Sequence, residues 1–357
     1  MIPIANPDIG DDERRRIESV LNSGMLADGP EVRAFEDEFS EYCGTEHAVA
    51  TSNGTTALHA TLAAIGIGDG DRVLTTPFSF IATANAIRHA GGEPVFADIK
   101  PDTYNLDPEA AQEVAREHDI EAILTVHLYG LPSDLDHLSD IAEDVGAYLI
   151  EDAAQAHGAT HQGQQVGSVG DAGCFSFYPT KNMTTGEGGI VVTDDEEIAA
   201  RAARFVNHGR SESYTHAEVG HNFRMTSLAG ALGRAQLAKL PDFTEARRAN
   251  AEQLTAGLED SWVVTPTELA DRKHVYHQYT VRCEDRAGLK AHLDEHDIGY
   301  GVYYPRCIHD QPAYSGQTAD APVGERAANE VLSLPVHPKV GEGDIQQIIE
   351  VVSNYES

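Results

Sequence analysis

Positive charge is scarce in this chain. Only six of its 357 residues are lysine, and Lys plus Arg number 25 against 58 Asp plus Glu, which gives a formal net charge of -33 at pH 7. A surface this negative repels nucleic acid and anionic membrane, so neither is expected as a partner. The same balance is typical of proteins adapted to concentrated salt, where screening weakens self-repulsion, and it predicts a halophilic source.

Cysteine is also sparse, and its spacing excludes two kinds of scaffold. Cys43, Cys174, Cys283 and Cys307 lie far apart with no C-x-x-C pair, which argues against a zinc knuckle or a disulfide framework and favours a reducing cytoplasm. The first residues lack the basic start and apolar stretch of a secretory signal. The uncharged run at 73–87 is too short and too rich in Thr, Ser and Asn to span a bilayer.

Short apolar runs alternate with amphipathic segments from about residue 45 to about residue 240. Strands are predicted at 47–51, 72–76, 94–99, 122–130, 147–152, 172–178 and 188–193, with helical stretches between many of them. This alternation predicts an α/β fold with a mostly parallel central sheet flanked by helices. Because ligands bind outside the carboxyl ends of such strands, the residues directly after these runs are the functional candidates.

The pattern changes after residue 240. Strands are predicted at 274–283 and 299–304, and helices at about 285–296 and about 342–354, which indicates a smaller C-terminal α+β domain. We find no internal repeat and no long linker. We therefore predict a large domain at 1–240 and a small domain at 241–357 that share an extensive interface, and the N-terminal segment could pack on the small domain.

Lys181 stands out because it lies away from the acidic surface helices. It occurs in FSFYPTKNMTTGEGG, after an apolar strand and before a glycine-rich turn. Most lysines only pack their stem and keep the ammonium group in water. A partly desolvated amine at the ligand edge of a sheet instead has a lowered pKa and attacks carbonyls. Lys181 is therefore predicted to bind the aldehyde of pyridoxal phosphate.

Three further features meet the needs of that cofactor. Asp152 ends the buried run AYLIED, where its carboxylate could hold a protonated ring nitrogen or could simply cap the next helix. Thr55 and Thr56 open a helix after a Ser-Asn-Gly turn, which suits a phosphate dianion. Phe78 or Phe80 could stack on the ring, although core packing is the alternative for both.

With these residues placed, the chain resembles the DegT/DnrJ/StrS family of PLP-dependent nucleotide-sugar aminotransferases, of fold type I. The likeness runs nearly end to end, and its motifs are highly specific when taken together. They are SGMLADGPEVRAFEDEFSEYCG, SNGTTALHATLAA, TTPFSFIATANAI, IEDAAQAHGA, FSFYPTKNMTTGEGG, GHNFRMTSLAGALGRAQL and YYPRCIHDQPAY.

The resemblance implies a cofactor role for each residue that matches the family pattern. Lys181 would bind the aldehyde and act as general base and then acid, Asp152 would partner the ring nitrogen, and Gln155 would lie near the ring hydroxyl. The remaining implied contacts are the ring stacking of Phe80 and the phosphate contacts of Thr55, Thr56 and Ser176. Asn222 would reach the phosphate of the neighbouring subunit, which implies a homodimer with shared active sites.

The implied reaction moves the amino group of L-glutamate to a keto sugar on a nucleotide diphosphate, which gives an amino sugar for glycan or surface polysaccharide biosynthesis. The sugar, its nucleotide and the aminated carbon stay open. Candidate substrate residues are Met25 to Gly29, Arg224, Tyr303, Tyr304 and His309.

Four alternatives compete with this interpretation. A sugar dehydratase of the same family carries His where Lys181 stands, and a catalytically silent regulatory relative would not need the intact cofactor residues. A nicotinamide dehydrogenase is rejected because the glycines at 66–71 do not fit G-x-G-x-x-G and follow a helix. His157 and His161 are spaced i, i+4 but have no visible third ligand, so no metal site is predicted.

Overall fold

Fourteen strands and eleven α-helices make up the computed structural model, which describes residues 1–355. The strands are β1 (His47–Thr51), β2 (Arg72–Thr75), β3 (Glu93–Phe96), β4 (Ala122–Val126), β5 (Tyr148–Asp152), β6 (Thr160–His161), β7 (Gln164–Gln165), β8 (Ala172–Ser176), β9 (Gly189–Thr193), β10 (Arg210–Glu212), β11 (Thr215–His216), β12 (Arg272–Lys273), β13 (Tyr279–Arg282) and β14 (Val331–Leu334). The helices are α1 (Asp11–Ser23), α2 (Pro30–Cys43), α3 (Gly54–Ala64), α4 (Ala82–Ala90), α5 (Pro108–Glu117), α6 (Leu135–Val145), α7 (Glu196–Val206), α8 (Ser227–Leu258), α9 (Arg286–Glu295), α10 (Pro322–Glu330) and α11 (Glu342–Ser353).

A seven-stranded sheet forms the centre of the structure. Its order is β1-β9-β8-β5-β4-β2-β3, and only β9 runs antiparallel to its neighbours. All seven strands predicted for the first part of the chain are present, so the prediction of a mostly parallel sheet is confirmed.

Helices cover both faces of this sheet because its strands are apolar on both sides. The side chains of Val73, Leu124 and Val191 lie on the face of the sheet that α3, α4 and α7 cover. Leu74 and Ile123, one residue away in their strands, face α2, α5 and α6. The alternation of neighbouring residues places two apolar layers on one sheet.

A second core lies in the C-terminal part of the chain. It joins the last turns of α8 to α9, α11 and the two-stranded β13–β14 sheet. Ile2 belongs to this core, and its backbone N-H donates to the carbonyl of Asp297 at 2.8 Å. α8 continues through residue 240, with Pro241 inside it, so the boundary at 240 stays a prediction.

The segments before and after β13 differ from the predicted strands. Residues 274–278 are not a strand. Their backbone instead bonds to the turn that follows β4, where Val275 N-H donates to the carbonyl of Gly130. Residues 299–304 form only one isolated pair, between Gly301 and Ser333. None of the helices within residues 1–355 combines the length and the apolar character needed to cross a membrane.

A buried carboxylate joins α1 to α8. Glu13 is fully buried and accepts hydrogen bonds from Gln236 Nε2 at 2.8 Å and Lys239 Nζ at 2.7 Å. Burial alone would raise the pKa of Glu13, but these donors outweigh it and lower that pKa to about 2. The oxygen of Gln236 accepts from Thr184 N-H at 3.3 Å, so the network continues into the loop that carries Lys181.

Glu13→Gln should therefore destabilise the protein at neutral pH by roughly 2 kcal/mol. The pKa of Glu13 is lower in the folded chain than in the unfolded chain, so its contribution is present above about pH 4.5 and is lost as pH falls towards about 2. Denaturant unfolding of both proteins between pH 7 and pH 3 measures this. The exposed Glu18→Gln variant on the same helix is the control, and a pH-independent difference for Glu13→Gln would contradict the assignment.

Candidate active site

The carboxyl ends of several strands meet at one cavity of about 890 Å³. Nine residues that the sequence singled out lie on its wall, and they come from five separate stretches of the chain. They are Thr55, Thr56, Phe80, Asp152, Gln155, Ser176, Lys181, Tyr303 and Tyr304.

Lys181 lies in the loop between β8 and β9. The loop is fixed internally, because Lys181 N-H donates to the carbonyl of Tyr178 at 2.9 Å and the Thr184 hydroxyl donates to that of Phe177 at 2.8 Å. Desolvation, opposed by the charge of Asp152, lowers the pKa of Lys181 to about 8. The amine is therefore neutral in a large fraction of molecules near pH 8 and can act as a nucleophile.

Asp152 is the last residue of β5 and is 5% exposed. Its two oxygens accept from the hydroxyl of Thr83 at 2.9 Å and from Ala154 N-H at 3.2 Å. Burial raises the pKa of Asp152 in spite of these bonds, which means that a cation placed against the carboxylate would be favourable. A protonated ring nitrogen is such a cation.

Gln155 is held at both ends of its amide. Its oxygen accepts from Tyr129 N-H at 2.7 Å, and its nitrogen donates to the hydroxyl of Tyr304 at 3.1 Å. The amide nitrogen has a second proton, so it can still donate to a ligand oxygen in the cavity.

The first turn of α3 borders the cavity next to the end of β8. Asn53 caps this helix by accepting from Thr56 N-H at 3.0 Å, and the Thr56 hydroxyl bonds back to Asn53. A Cβ at Gly54 would lie 2.7 Å from Ser176 Cβ, and one at Gly189 would lie 2.3 Å from the Asn53 carbonyl oxygen. Glycine at both positions therefore lets the helix terminus and Ser176 converge, which suits a phosphate group.

The two phenylalanines of TTPFSF have different surroundings. Phe78 is fully buried in a core cluster with Ile99 and Tyr129. Phe80 is 55% exposed on the cavity wall, with its ring centroid 6.0 Å from that of Tyr304. Of the two rings, only that of Phe80 is available for a planar ligand.

Other predicted site residues lie off the cavity wall. Asn222 is exposed and pairs with Asn207, whose side-chain oxygen also accepts from Arg224 at 2.8 Å. His309 Nε2 lies 3.3 Å from a carboxylate oxygen of Glu325. The segment 25–29 adjoins the start of α8, where Ser227 N-H donates to its carbonyls. One subunit therefore does not bring these residues to the cavity.

The structure also adds residues that the sequence did not single out. Thr83 binds Asp152, and the cavity wall includes Tyr178, His277 and Gln278. His277 is 6% exposed, and burial lowers its pKa well below the usual range, so its ring is neutral. The motif IATANAI offered a signal for Thr83, because a helix that begins after a strand end presents its first turn to the ligand edge.

The chemistry of these groups fits pyridoxal phosphate. An amine with a lowered pKa, a buried carboxylate, an amide donor, a helix terminus and an open aromatic ring all face one cavity. When bound, the cofactor supplies an aldehyde and a ring that accepts electrons. Among residues 1–355 the one cluster with suitable metal-ligand spacing is His309, Asp310 and Glu325, away from this cavity.

Fold and site together define an enzyme of the pyridoxal phosphate-dependent fold type I class. The chain belongs to the DegT/DnrJ/EryC1/StrS aminotransferase family, whose sequence model matches residues 7–353. The resemblance, the fold class and the aminotransferase activity predicted from the sequence are thereby confirmed.

Curated relatives align with almost the whole chain. A pleiotropic regulatory protein of Geobacillus stearothermophilus is 39% identical over 96% of this chain and 93% of its own length. The dTDP-3-amino-3,4,6-trideoxy-alpha-D-glucose transaminase of Streptomyces venezuelae is 37% identical over 95% of this chain and 90% of its own length.

Solved structures agree with the fold and the cofactor. DesV of S. venezuelae, in complex with a ketimine intermediate, superposes with a TM-score of 0.93 at 36% identity, over 97% of this chain and 95% of that one. The PLP-form of a putative sugar aminotransferase from Streptococcus pneumoniae gives a TM-score of 0.93 at 26% identity, over 99% and 97% of the two chains. The prediction of pyridoxal phosphate as cofactor is confirmed.

The pKa of Lys181 predicts how cofactor capture depends on pH. Below about pH 8 the amine is mostly protonated and does not attack an aldehyde, so the capture rate of the cofactor-free protein should rise about tenfold per pH unit and level off above pH 8. Stopped-flow absorbance after mixing with pyridoxal phosphate measures this rate. An ordinary lysine amine would show a rate still climbing through pH 10, which would contradict the assigned pKa.

Proposed function

We propose that this aminotransferase moves the amino group of L-glutamate to a keto sugar linked to a nucleotide, and so makes an amino sugar for glycan or surface polysaccharide biosynthesis. The observation that carries the proposal is that Lys181 and Asp152 face one cavity of about 890 Å³. This volume is near the upper end for small-molecule sites and leaves space beyond the cofactor for a second large ligand. The transaminase activity of the 37% identical relative supports the same substrate class.

Each residue has a defined task in this proposal. Lys181 would take the proton from the carbon that bears the donor amine and hold it on Nζ for the later transfer, which its pKa of about 8 allows near neutral pH. Asp152 would hold a protonated ring nitrogen. Gln155 would donate to the ring hydroxyl, and its bond to the Tyr304 hydroxyl fixes that tyrosine on the cavity wall.

The remaining cofactor contacts are assigned in the same way. Thr55, Thr56, Ser176 and the N-terminus of α3 would bind the phosphate, and Thr56 also holds the helix cap through its bonds to Asn53. Phe80 would stack on the ring, with Tyr304 beside it.

A regulatory role is the second candidate, favoured by the 39% identity to a pleiotropic regulatory protein. A protein with that role alone would not need a desolvated amine with a lowered pKa, because the desolvation costs free energy. A dehydratase of the family is disfavoured because Lys181 is present.

We further propose a homodimer in which each subunit completes the site of the other. Lys181 is the only lysine or arginine on the described cavity wall, yet glutamate and a nucleotide diphosphate are both anions. His221 and Phe223 line the cavity of their own subunit, whereas Asn222 and Arg224 in the same segment lie off its wall, where they could serve a second copy.

The acidic composition supports a high-salt cytoplasm as the protein's environment. All four cysteines are free and buried, as expected where thiols stay reduced. Unfolding during dialysis from concentrated to dilute salt is the outcome expected for such a chain, and stability unchanged by dialysis would oppose it.

Incubation with pyridoxal phosphate and L-glutamate tests the proposed reaction directly. We expect release of 2-oxoglutarate, and turnover only when a matching keto sugar from a panel linked to dTDP, UDP or GDP is added. Lys181→Ala should lower the rate by roughly 10²–10⁴-fold, because it removes the group that transfers the proton. The exposed Lys273→Ala is the matched control.

Borohydride reduction followed by peptide mapping separates the candidate functions. Labelling of Lys181 together with 2-oxoglutarate release supports the aminotransferase. Labelling without any reaction with glutamate or sugar would favour the regulatory role, and no labelling of the folded, cofactor-supplied protein would remove the basis of the proposal.

Co-expression of two inactive variants tests the shared site. Lys181→Ala lacks the amine, and a double variant, N222A with R224A, lacks the groups proposed to cross the interface. Random pairing should restore about a quarter of the wild-type sites, because half of the dimers are mixed and each mixed dimer has one complete site. Activity that stays at the level of the separate variants would show that Asn222 and Arg224 act within their own subunit.

A further inference from the structure

A buried cation lies behind the loop of Lys181. Arg247, in the middle of α8, is 6% exposed, and no carboxylate within residues 1–355 forms an ion pair with it. Its Nη1 donates to the carbonyls of Tyr276 at 3.2 Å and His277 at 3.3 Å, but its Nε has no hydrogen-bond partner. Leaving a buried charge without a counter-charge is costly, so this arrangement calls for a partner.

Arg247 borders a small void that is separate from the main cavity. The void has a volume of about 20 Å³, enough for one small occupant. Arg247, Asn182, Thr184 and Gln236 line it together with the N-terminal segment 5–8. Burial lowers the pKa of Arg247 to about 10, which still leaves the guanidinium charged at neutral pH.

The carboxylates close to this void are already neutralised. Asp8 lies 3.0 Å from Lys339 Nζ and 3.8 Å from Lys239 Nζ, and Glu13 is bonded to Lys239. Protein groups of the described chain therefore do not supply the missing negative charge. A water molecule could satisfy the Nε donor, but it would leave the charge uncompensated.

We propose that this void binds a single halide ion, chloride in the cell, against the guanidinium of Arg247. A monatomic anion needs less space than a carboxylate or phosphate ligand, which favours it in a space of about 20 Å³. The ion would tie α8 to the N-terminal segment and to the Lys181 loop, because Thr180 and Lys181 border both the void and the main cavity. Chloride would then stabilise the folded protein in a saturable way, as any ligand of the native state does.

Thermal unfolding at constant sodium and constant ionic strength tests the proposal, with chloride replaced stepwise by gluconate. Since the net charge is -33, cation screening stabilises the chain in any salt, but that effect is the same in both sodium salts. We expect the melting temperature to rise by roughly 2 °C with chloride and then to saturate. Bromide should act like chloride.

Arg247→Met should abolish the difference between chloride and gluconate. The matched control is Arg248→Met, because Arg248 is the next residue of α8 and is paired with Glu268, so its loss should leave the chloride effect intact. Equal melting temperatures of the wild type in both salts, or a chloride effect that persists in Arg247→Met, would overturn the proposal.

Crystals of the wild-type protein soaked in bromide give a test that does not depend on the folding of a variant. An anomalous peak beside Arg247 Nε supports the halide site. Density that fits only an ordered water, without an anomalous peak, would overturn it.

Discussion

The site depends on keeping one amine out of water at the carboxyl end of the sheet. Lys181 follows β8, whose neighbours are β5, which ends in Asp152, and the antiparallel β9. Desolvation lowers the pKa of the lysine while the aspartate opposes that effect, so the two groups share one electrostatic balance. The tight approach at Gly54 and Gly189 closes the same region by bringing the helix terminus against the strands.

Positive charge is rare in this protein, and three of its buried or half-buried cations lie at specific contacts in the fold. Lys239 neutralises Glu13 between α1 and α8, Lys181 faces the cofactor cavity, and Arg247 lies behind it. The acidic surplus is therefore carried largely by the surface, where salt screens it, whereas the interior relies on individually paired or ligand-directed cations.

Much of the fold could be predicted from the sequence because apolar runs mark buried parallel strands directly. The rule that ligands lie at strand ends then led to Lys181 and Asp152 without any knowledge of distances. His277 could not be found in this way, because it reaches the site only through tertiary packing. Thr83 had only the general signal of a helix that begins after a strand end, and its bond to Asp152, 69 residues away, appears only in the folded structure.

The C-terminal part was harder to predict for a related reason. Residues 299–304 have the alternation and aromatic content of a strand, yet only Gly301 pairs with another strand. The ring of Tyr303 packs against Gly301, and the Tyr303 carbonyl accepts a hydrogen bond from the hydroxyl of Tyr129, in the turn after β4. These contacts with the large domain override the local preference for a strand. Tyr303 and Tyr304, which line the cavity, therefore lie in an irregular segment although their local sequence favours a strand.

Helix α8 has a consequence for anyone who wishes to divide or recombine this chain. Its 32 residues span about 48 Å and serve both cores, with Leu237 and Leu240 buried in one and Leu254 and Leu258 in the other. A cut at residue 240 would divide this helix between the two fragments and expose apolar surface on each of them. If C-terminal portions are exchanged among relatives, both hydrophobic cores stay intact only when the crossover falls outside α8.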